Sequence, residues 1–473
     1  MIFERVESDG LAHFSYLIGD EYAGVAAVID PRRDVEVYLE LAREKHARIT
    51  YILETHIHAD FVSGSRELAG RTGAPIGVGA TAQVGFEHQP LADGDQIEVG
   101  RLSLQVLHTP GHTPEHVCFL VRGGAGAERP WGLFSGDSLF AGEVGRPDLL
   151  GEGTEEKLAR QLFHTLNEIV LPVGDEVILY PAHGEGSPCG ANIGDRDTST
   201  IGYERQNNPL LSIEDEDEFV ERVLAALEPA PSYYGRMKVT NTQGAPVLGL
   251  WPDLQPMDAS DFREAMSQPD SVVIDTREIE GFGGAHIKGA INIPLREIFP
   301  IWAGRILDES FPIWAGRMIG PEARILLVLP DADRVDVVVG HLMRLGYERL
   351  RGYVRQGMRG WIEAGLPFER LPQMSVHELR ARIQRGDDLQ VLDVRSDSEW
   401  QEGHIPTARH IYVPDLNENL DQIDRSRPVA TYCGSGYRAS IAASILEQNG
   451  FSQVYNVPGS MTAWKEAGYP LEG

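Results

Sequence analysis

Residues 55–61 read Thr-His-Ile-His-Ala-Asp-Phe and follow, after Glu54, the apolar residues Tyr51, Ile52 and Leu53. A short apolar run of this kind forms a buried strand, and two histidines two residues apart at its end reach into one loop-lined cavity, where metal sites are built. The chain must therefore place chemistry at strand ends. Later segments have the same character: His112 follows the tight turn Pro110-Gly111, Asp137 follows Ser135-Gly136, and His183 sits between Ala182 and Gly184. The opening string closes on Phe61, whose ring offers a metal no lone pair.

With 473 residues and 42% hydrophobic content, the chain can form several cores, and its length suggests roughly two to four domains. A net charge of −29 disfavours nucleic acid and anionic membrane as partners, so anionic substrates need local positive pockets. The first residues lack the basic start and apolar core of a signal peptide, and no apolar run approaches spanning length, which makes the cytoplasm the expected compartment. Three cysteines, Cys118, Cys189 and Cys433, are too few for a disulfide framework. Cys118, within Val117-Cys118-Phe119-Leu120, reads as core.

Up to about residue 250, β-rich runs alternate with helical stretches, an α/β pattern. Pro229, Pro231, Pro252 and Pro256 mark a connector. Beyond it the chain repeats itself: Ile274-Asp275-Thr276-Arg277 parallels Leu392-Asp393-Val394-Arg395, and Ala285-His286-Ile287 parallels Gly403-His404-Ile405. Repeated units imply repeated folds. The expected domains are 1–256, 257–372 and 373–473. Residues 299–305 also recur verbatim as 311–317.

On the histidine string, the Pro-Gly-His turn, the Gly-Asp segment and Gly145-Arg146-Pro147-Asp148, residues 1 to about 250 resemble the persulfide dioxygenases, an iron-dependent branch of the glyoxalase II-like metallo-β-lactamase family. The resemblance implies an αββα sandwich and one Fe(II) held by His56, His112 and Asp137, a site that zinc can also occupy in the protein as isolated. His58 and Asp60 would stand behind these ligands. Arg146, His183 and Cys189 would line the substrate pocket, Arg146 either facing an anion or pairing with Asp148. Two-metal relatives carry His where Phe61 stands, so the departure favours one metal over a dinuclear hydrolase. Cys189 would receive or guide sulfur, or be a small buried residue.

The third thiol lies in Cys433-Gly434-Ser435-Gly436-Tyr437-Arg438, between a β-like run and an Ala-rich helical stretch. Backbone N–H groups and the positive helix end favour a reactive thiolate there, the glycines let Gly434, Ser435, Gly436 and Tyr437 curl around it, and Arg438 supplies a cation for an anionic donor. With the Asp393-Val394-Arg395 and Gly403-His404-Ile405-Pro406 runs, residues 373–473 resemble a single-domain rhodanese, which moves sulfane sulfur through a Cys433 persulfide. In the preceding unit a gapless alignment puts Leu329 where Cys433 falls and Arg334 where Arg438 falls, so that unit is expected to be inert. The whole chain thus resembles a persulfide dioxygenase/rhodanese fusion: an α/β multidomain protein with two central parallel sheets after the sandwich. Its implied partners are a low-molecular-weight thiol persulfide, O₂, sulfite and thiosulfate, with self-association left open. A zinc thioester hydrolase and a non-oxidising sulfur carrier are the alternatives.

Overall fold

The computed structural model describes residues 1–123, 129–151, 153–296 and 310–473, and divides into two compact units, the first holding Met1–Trp251 and Met343–Gly346. In that unit β1 (Ile2–Ser8), β2 (His13–Asp20), β3 (Val25–Ile29), β4 (Arg48–Leu53), β5 (Ile76–Gly79) and β6 (Gln89–Leu91) form one six-stranded sheet in sequence order. A second six-stranded sheet holds β7 (Gln96–Val99), β8 (Leu102–His108), β9 (Val117–Gly123), β10 (Gly132–Gly136), β11 (Ile178–Pro181) and β12 (Ser199–Thr200).

Side-chain alternation explains the layering. In β2, Phe14, Tyr16 and Ile18 join Phe119, Val121 and Phe134 between the sheets, whereas Leu17 points the other way, toward Tyr38 and Leu68. Those two residues come from the helices Glu36–Glu44 and Ser65–Thr72, which cover the first sheet. Leu162, Phe219 and Val223, from the helices Glu155–His164 and Glu216–Ala225, cover the second sheet in the same way. The result is an αββα sandwich. Each large apolar side chain so buried contributes roughly 1.5–3 kcal/mol. The proline-marked connector differs from expectation, because residues between Pro231 and Pro252 include the helix Tyr234–Gln243.

The second unit contains both halves of the repeat. β13 (Pro256–Met257), β14 (Ser271–Asp275), β15 (Ile291–Asn292), β16 (Arg324–Val328) and β17 (Leu350–Val354) form an all-parallel sheet in the order β13-β17-β16-β14-β15. β18 (Gln390–Asp393), β19 (Arg409–His410), β20 (Val429–Tyr432) and β21 (Val454–Asn456) form another, in the order β19-β18-β20-β21. The registers match as well as the orders: Asp275 pairs with Val328 as Asp393 pairs with Tyr432. Leu329 and Cys433 are the next residues, so the sequence alignment of these two positions is also a structural one. Each half opens with an edge pairing to its own last strand, β13 to β17 and Gln373 to Asn456, which supports the boundaries we propose near 256 and 372. The second copy of the duplicated heptapeptide lies in the helix Phe311–Met318; the first lies outside the described residues.

Candidate metal centre and thiol loop

The loops after β4, β8 and β10 bring His56, His112 and Asp137 together, with donor atoms within 4.8 Å of one another. Their tautomers follow from their partners. Thr55 donates its backbone N–H and its hydroxyl to the two carboxylate oxygens of Asp30, at 2.7 and 2.8 Å. With that hydroxyl proton committed, His56 Nδ1–H donates to Thr55 Oγ1 at 2.9 Å, leaving the Nε2 lone pair free. His112 Nδ1–H donates to the Arg146 carbonyl at 2.9 Å, with the same consequence. Burial holds both imidazoles well below the ordinary histidine range, hence neutral, the form that binds metal.

Asp137 Oδ2 lies 3.8 Å from His56 Nε2 and 3.4 Å from His112 Nε2. Ligands about 2.1 Å from one ion stand roughly 3–3.5 Å apart, so the spacing suits a single small cation. Among the described residues, Asp137 Oδ2 and His112 Nε2 are buried without a hydrogen-bond partner, as unfilled metal ligands are; two imidazoles and one carboxylate suit iron or zinc. The Asp137 carbonyl lies 1.8 Å from where a Cβ on Gly145 would stand, so only glycine fits there.

Behind these three, the structure gives several residues roles other than those expected. His58 turns away from the cluster, its Nε2 lying 3.2 Å from Asp30 and 3.3 Å from Glu54; burial would lower its pKa, but the two carboxylates raise it to about 10. Asp60 orients His183 rather than a ligand imidazole. His183 spends both ring nitrogens on carboxylates, Nδ1 on Asp137 Oδ1 at 2.8 Å and Nε2 on Asp60 at 2.9 Å. Despite burial, Asp137 and Asp60 hold its pKa well above the usual range. It therefore acts as a cationic clamp that turns the other Asp137 oxygen toward the cluster. Cys189 lies within the buried interior, 1% exposed. Its sulfur shares a cluster with Asp60 and His183, and burial raises its pKa to about 11.

Of the two readings of Arg146, the structure shows the pair with Asp148. Its guanidinium donates to both Asp148 oxygens at 2.7 Å and to the carbonyls of Pro188 and Glu228, so it braces the loop instead of facing an anion. Its useful atom is the carbonyl that orients His112. Three residues were missed. His116, which alone reads as an ordinary loop residue, accepts the Asp137 N–H on Nε2 at 3.0 Å and is held neutral by burial, its pKa lowered to about 3. Asn241 donates to the carbonyls of His58 and Phe61 at 2.8 and 2.7 Å, pinning the histidine loop. His13 lies with its ring centroid 4.1 Å from that of Phe61. The positions of His13 and Asn241 far from the motif in sequence left no signal. Cys118 is core, as read, fully buried with its pKa raised to about 12 by desolvation.

In the second unit, Cys433 follows β20 and is 1% exposed. The Gly436 N–H donates to its sulfur at 3.0 Å, as expected of a loop entering a helix, here Tyr437–Gln448. Gly436 has φ 111°, and an added Cβ there would lie 3.1 Å from the Pro458 Cα. Arg438 departs from expectation: both its Nη atoms bond the Glu399 carboxylate, at 2.6 and 2.8 Å, and Glu399 also closes a capping box on Ser396. The cation is shared with a carboxylate and fixes the loop more than it offers free positive charge.

This pair has a pH signature. Burial alone would raise the Glu399 carboxyl, but Arg438 more than reverses it and holds its pKa below the ordinary carboxylate value. A depressed carboxyl stabilises the fold above its unfolded pKa, and that stabilisation fades as pH falls through the folded value. Glu399→Gln is expected to destabilise the chain by about 1–2 kcal/mol near neutrality, less than a fully buried pair because Glu399 is partly exposed. The difference between wild type and variant in denaturant melts should shrink progressively as pH falls through and below the ordinary carboxyl range.

Comparisons with known proteins agree with this architecture. Residues 8–183 match the metallo-beta-lactamase superfamily, and residues 258–364 and 375–467 match the rhodanese-like domain. Persulfide dioxygenase ETHE1 of Homo sapiens is 32% identical over 216 residues, covering 44% of this chain and 74% of that protein. This chain is a persulfide dioxygenase-family/rhodanese fusion. A Staphylococcus aureus metallo-beta-lactamase structure is 34% identical to the fusion, with TM-score 0.65, and covers 75% of this chain and 98% of its own. A hydroxyacylglutathione hydrolase of Polaromonas sp. is 34% identical over 187 residues, 39% of the fusion and 66% of that protein. No described helix of the fusion is long and apolar enough to cross a membrane.

Proposed function

We propose that the fusion oxidises a low-molecular-weight thiol persulfide with O₂ and moves sulfane sulfur through Cys433. The observation that carries the first half is the convergence of two neutral imidazoles and one carboxylate oxygen, with His58 turned away and Phe61 in place of a further donor. His56, His112 and Asp137 would hold one Fe(II), which when bound supplies redox chemistry toward O₂ and a Lewis acid for the persulfide sulfur. The chain's own work is to keep the Nε2 lone pairs of His56 and His112 aimed at one point. The reaction balances as RSSH + O₂ + H₂O giving RSH, sulfite and two protons. In the second half, sulfite attacks the outer sulfur of the Cys433 persulfide, the S–S bond to cysteine breaks, and thiosulfate leaves with the Cys433 thiolate restored. All three cysteines are free, which fits the reducing cytoplasm we propose as its compartment.

The relationship to a hydroxyacylglutathione hydrolase keeps thioester hydrolysis as the second reading. Oxygen uptake by anaerobically Fe(II)-loaded protein given glutathione or coenzyme A persulfide separates the two. Uptake with sulfite or thiosulfate appearing supports the dioxygenase. Two zinc ions per chain with thioester turnover and no uptake would replace it.

A further inference from the structure

The rhodanese-like unit that lacks a nucleophile meets the thiol-bearing unit along one helix, Tyr437–Gln448, the helix whose entry turn carries the Gly436 N–H bonded to the Cys433 sulfur. A helix lying on its own sheet ordinarily keeps one face in water. This one is buried at every position from Tyr437 to Leu446. Four polar side chains recur on it at helical spacing, Tyr437, Ser440, Ser444 and Gln448, which form a single stripe. Each bonds the preceding unit. The Tyr437 hydroxyl donates to the Pro294 carbonyl at 2.8 Å. The Ser440 hydroxyl reaches Asn292 Oδ1 at 2.5 Å, the Asn292 N–H donates to Ser444 Oγ at 3.2 Å, and Gln448 Nε2 donates to the Gly289 carbonyl at 2.7 Å.

Asn292 is the centre of this contact. Its Nδ2 donates to the carbonyls of Asp275 and Arg277, at 3.0 and 2.9 Å. Carbonyls only accept, so the amide has one orientation, Oδ1 faces the helix, and Ser440 must be the donor. Asn292 is fully buried and sits at the end of β15, paired with Asp275. One side chain thus ties the strand ends of the first parallel sheet to the helix whose N-terminus faces the sulfur.

We propose that the unit without a nucleophile is a working part of the Cys433 site, and that Asn292 is the positioning residue through which it holds the Cys433 loop in its transferring geometry. This rests on the sulfur-transfer reading above. Removing the amide takes a partner from the Ser440 hydroxyl and from the Arg277 carbonyl, leaving the Asp275 carbonyl only the Ile293 N–H, at a cost to buried polar groups that frees the helix to shift, and misplacement by about 1 Å lowers turnover by up to ~10²-fold.

The test uses the full chain. Asn292→Ala is expected to lower kcat for thiosulfate-to-cyanide sulfur transfer by about 10-fold with KM little changed, while persulfide-dependent oxygen uptake and circular dichroism stay as in wild type. Ser440→Ala should show a smaller loss, and the double variant should be no worse than Asn292→Ala, because both act through one bond. Should Asn292→Ala fail to fold, Ser440→Ala and Tyr437→Phe, each lacking one hydroxyl, carry the same comparison. Alkylation of Cys433 by iodoacetamide, followed by intact mass, should change rate in the variants and reports loop geometry even if wild type transfers no sulfur, so failure of the transferase reading is seen separately. Folded variants with wild-type kcat and alkylation rate, or losses that simply multiply, would overturn the proposal.

Discussion

Replacing His112 by alanine is expected to abolish persulfide-dependent oxygen uptake, by on the order of 10³-fold, since loss of even an outer partner of a metal ligand costs about 10–100-fold. The geometry makes this residue the most exacting of the three. His112 is fully buried, its Nδ1–H is committed to the Arg146 carbonyl, and its Nε2 is the ring nitrogen nearer to Asp137 Oδ2. Truncation removes a neutral donor and leaves the carboxylate oxygen with a single imidazole neighbour. Iron content measured after anaerobic loading should fall in step with activity, whereas sulfur transfer from thiosulfate should be unchanged, because Cys433 belongs to the other compact unit. His108→Ala is the companion measurement. His108 is four residues away and its ring bonds the Pro114 carbonyl at 3.0 Å, so its loss should leave both iron content and uptake as in wild type. Uptake that survives His112→Ala with wild-type iron would remove this cluster from the reaction.

How far the residues announced this arrangement depends on the distance over which each one acts. His56, His112 and Asp137 were legible because each ends a strand within a short turn, so local pattern and spatial convergence coincide. The equivalence of Leu329 with Cys433 was legible for a similar reason: a gapless alignment of the repeat gives the same register that Asp275–Val328 and Asp393–Tyr432 show in the two sheets. The misread residues take their roles from partners that pattern does not reveal. Arg146 was read as either an anion site or a partner of Asp148, and neither reading signalled that its backbone carbonyl holds His112. His58 looked like a companion to the ligands until Asp30, on the loop after another strand, drew it aside. Arg438 could be placed in the loop but not joined to Glu399, which is 39 residues earlier. Asn241 pins the histidine loop from a stretch whose prolines suggested only a connector, and the proline rule does not exclude a ten-residue helix between them.

Cys433→Ser should change the product rather than the rate of oxygen consumption. A serine hydroxyl keeps the shape of the loop and its place after β20, but at neutral pH it neither forms a persulfide nor leaves as a stabilised anion, so sulfur transfer from thiosulfate to cyanide is expected to fall by on the order of 10³-fold or more. Oxygen uptake with a thiol persulfide should continue at the wild-type rate, because the three metal-facing donors are untouched. Sulfite made in the first unit then meets no sulfane sulfur carried on Cys433, and ion chromatography of the reaction should show sulfite accumulating where wild type yields thiosulfate. Chemistry in solution between sulfite and free persulfide sets the background and is measured with enzyme omitted. If Cys433→Ser forms thiosulfate as wild type does above that background, the sulfur passes by another route. Cys189 then becomes the thiol to replace, since its sulfur lies in the buried cluster with Asp60 and His183, and a Cys189→Ser variant with slowed uptake would place the transfer in the metal unit itself.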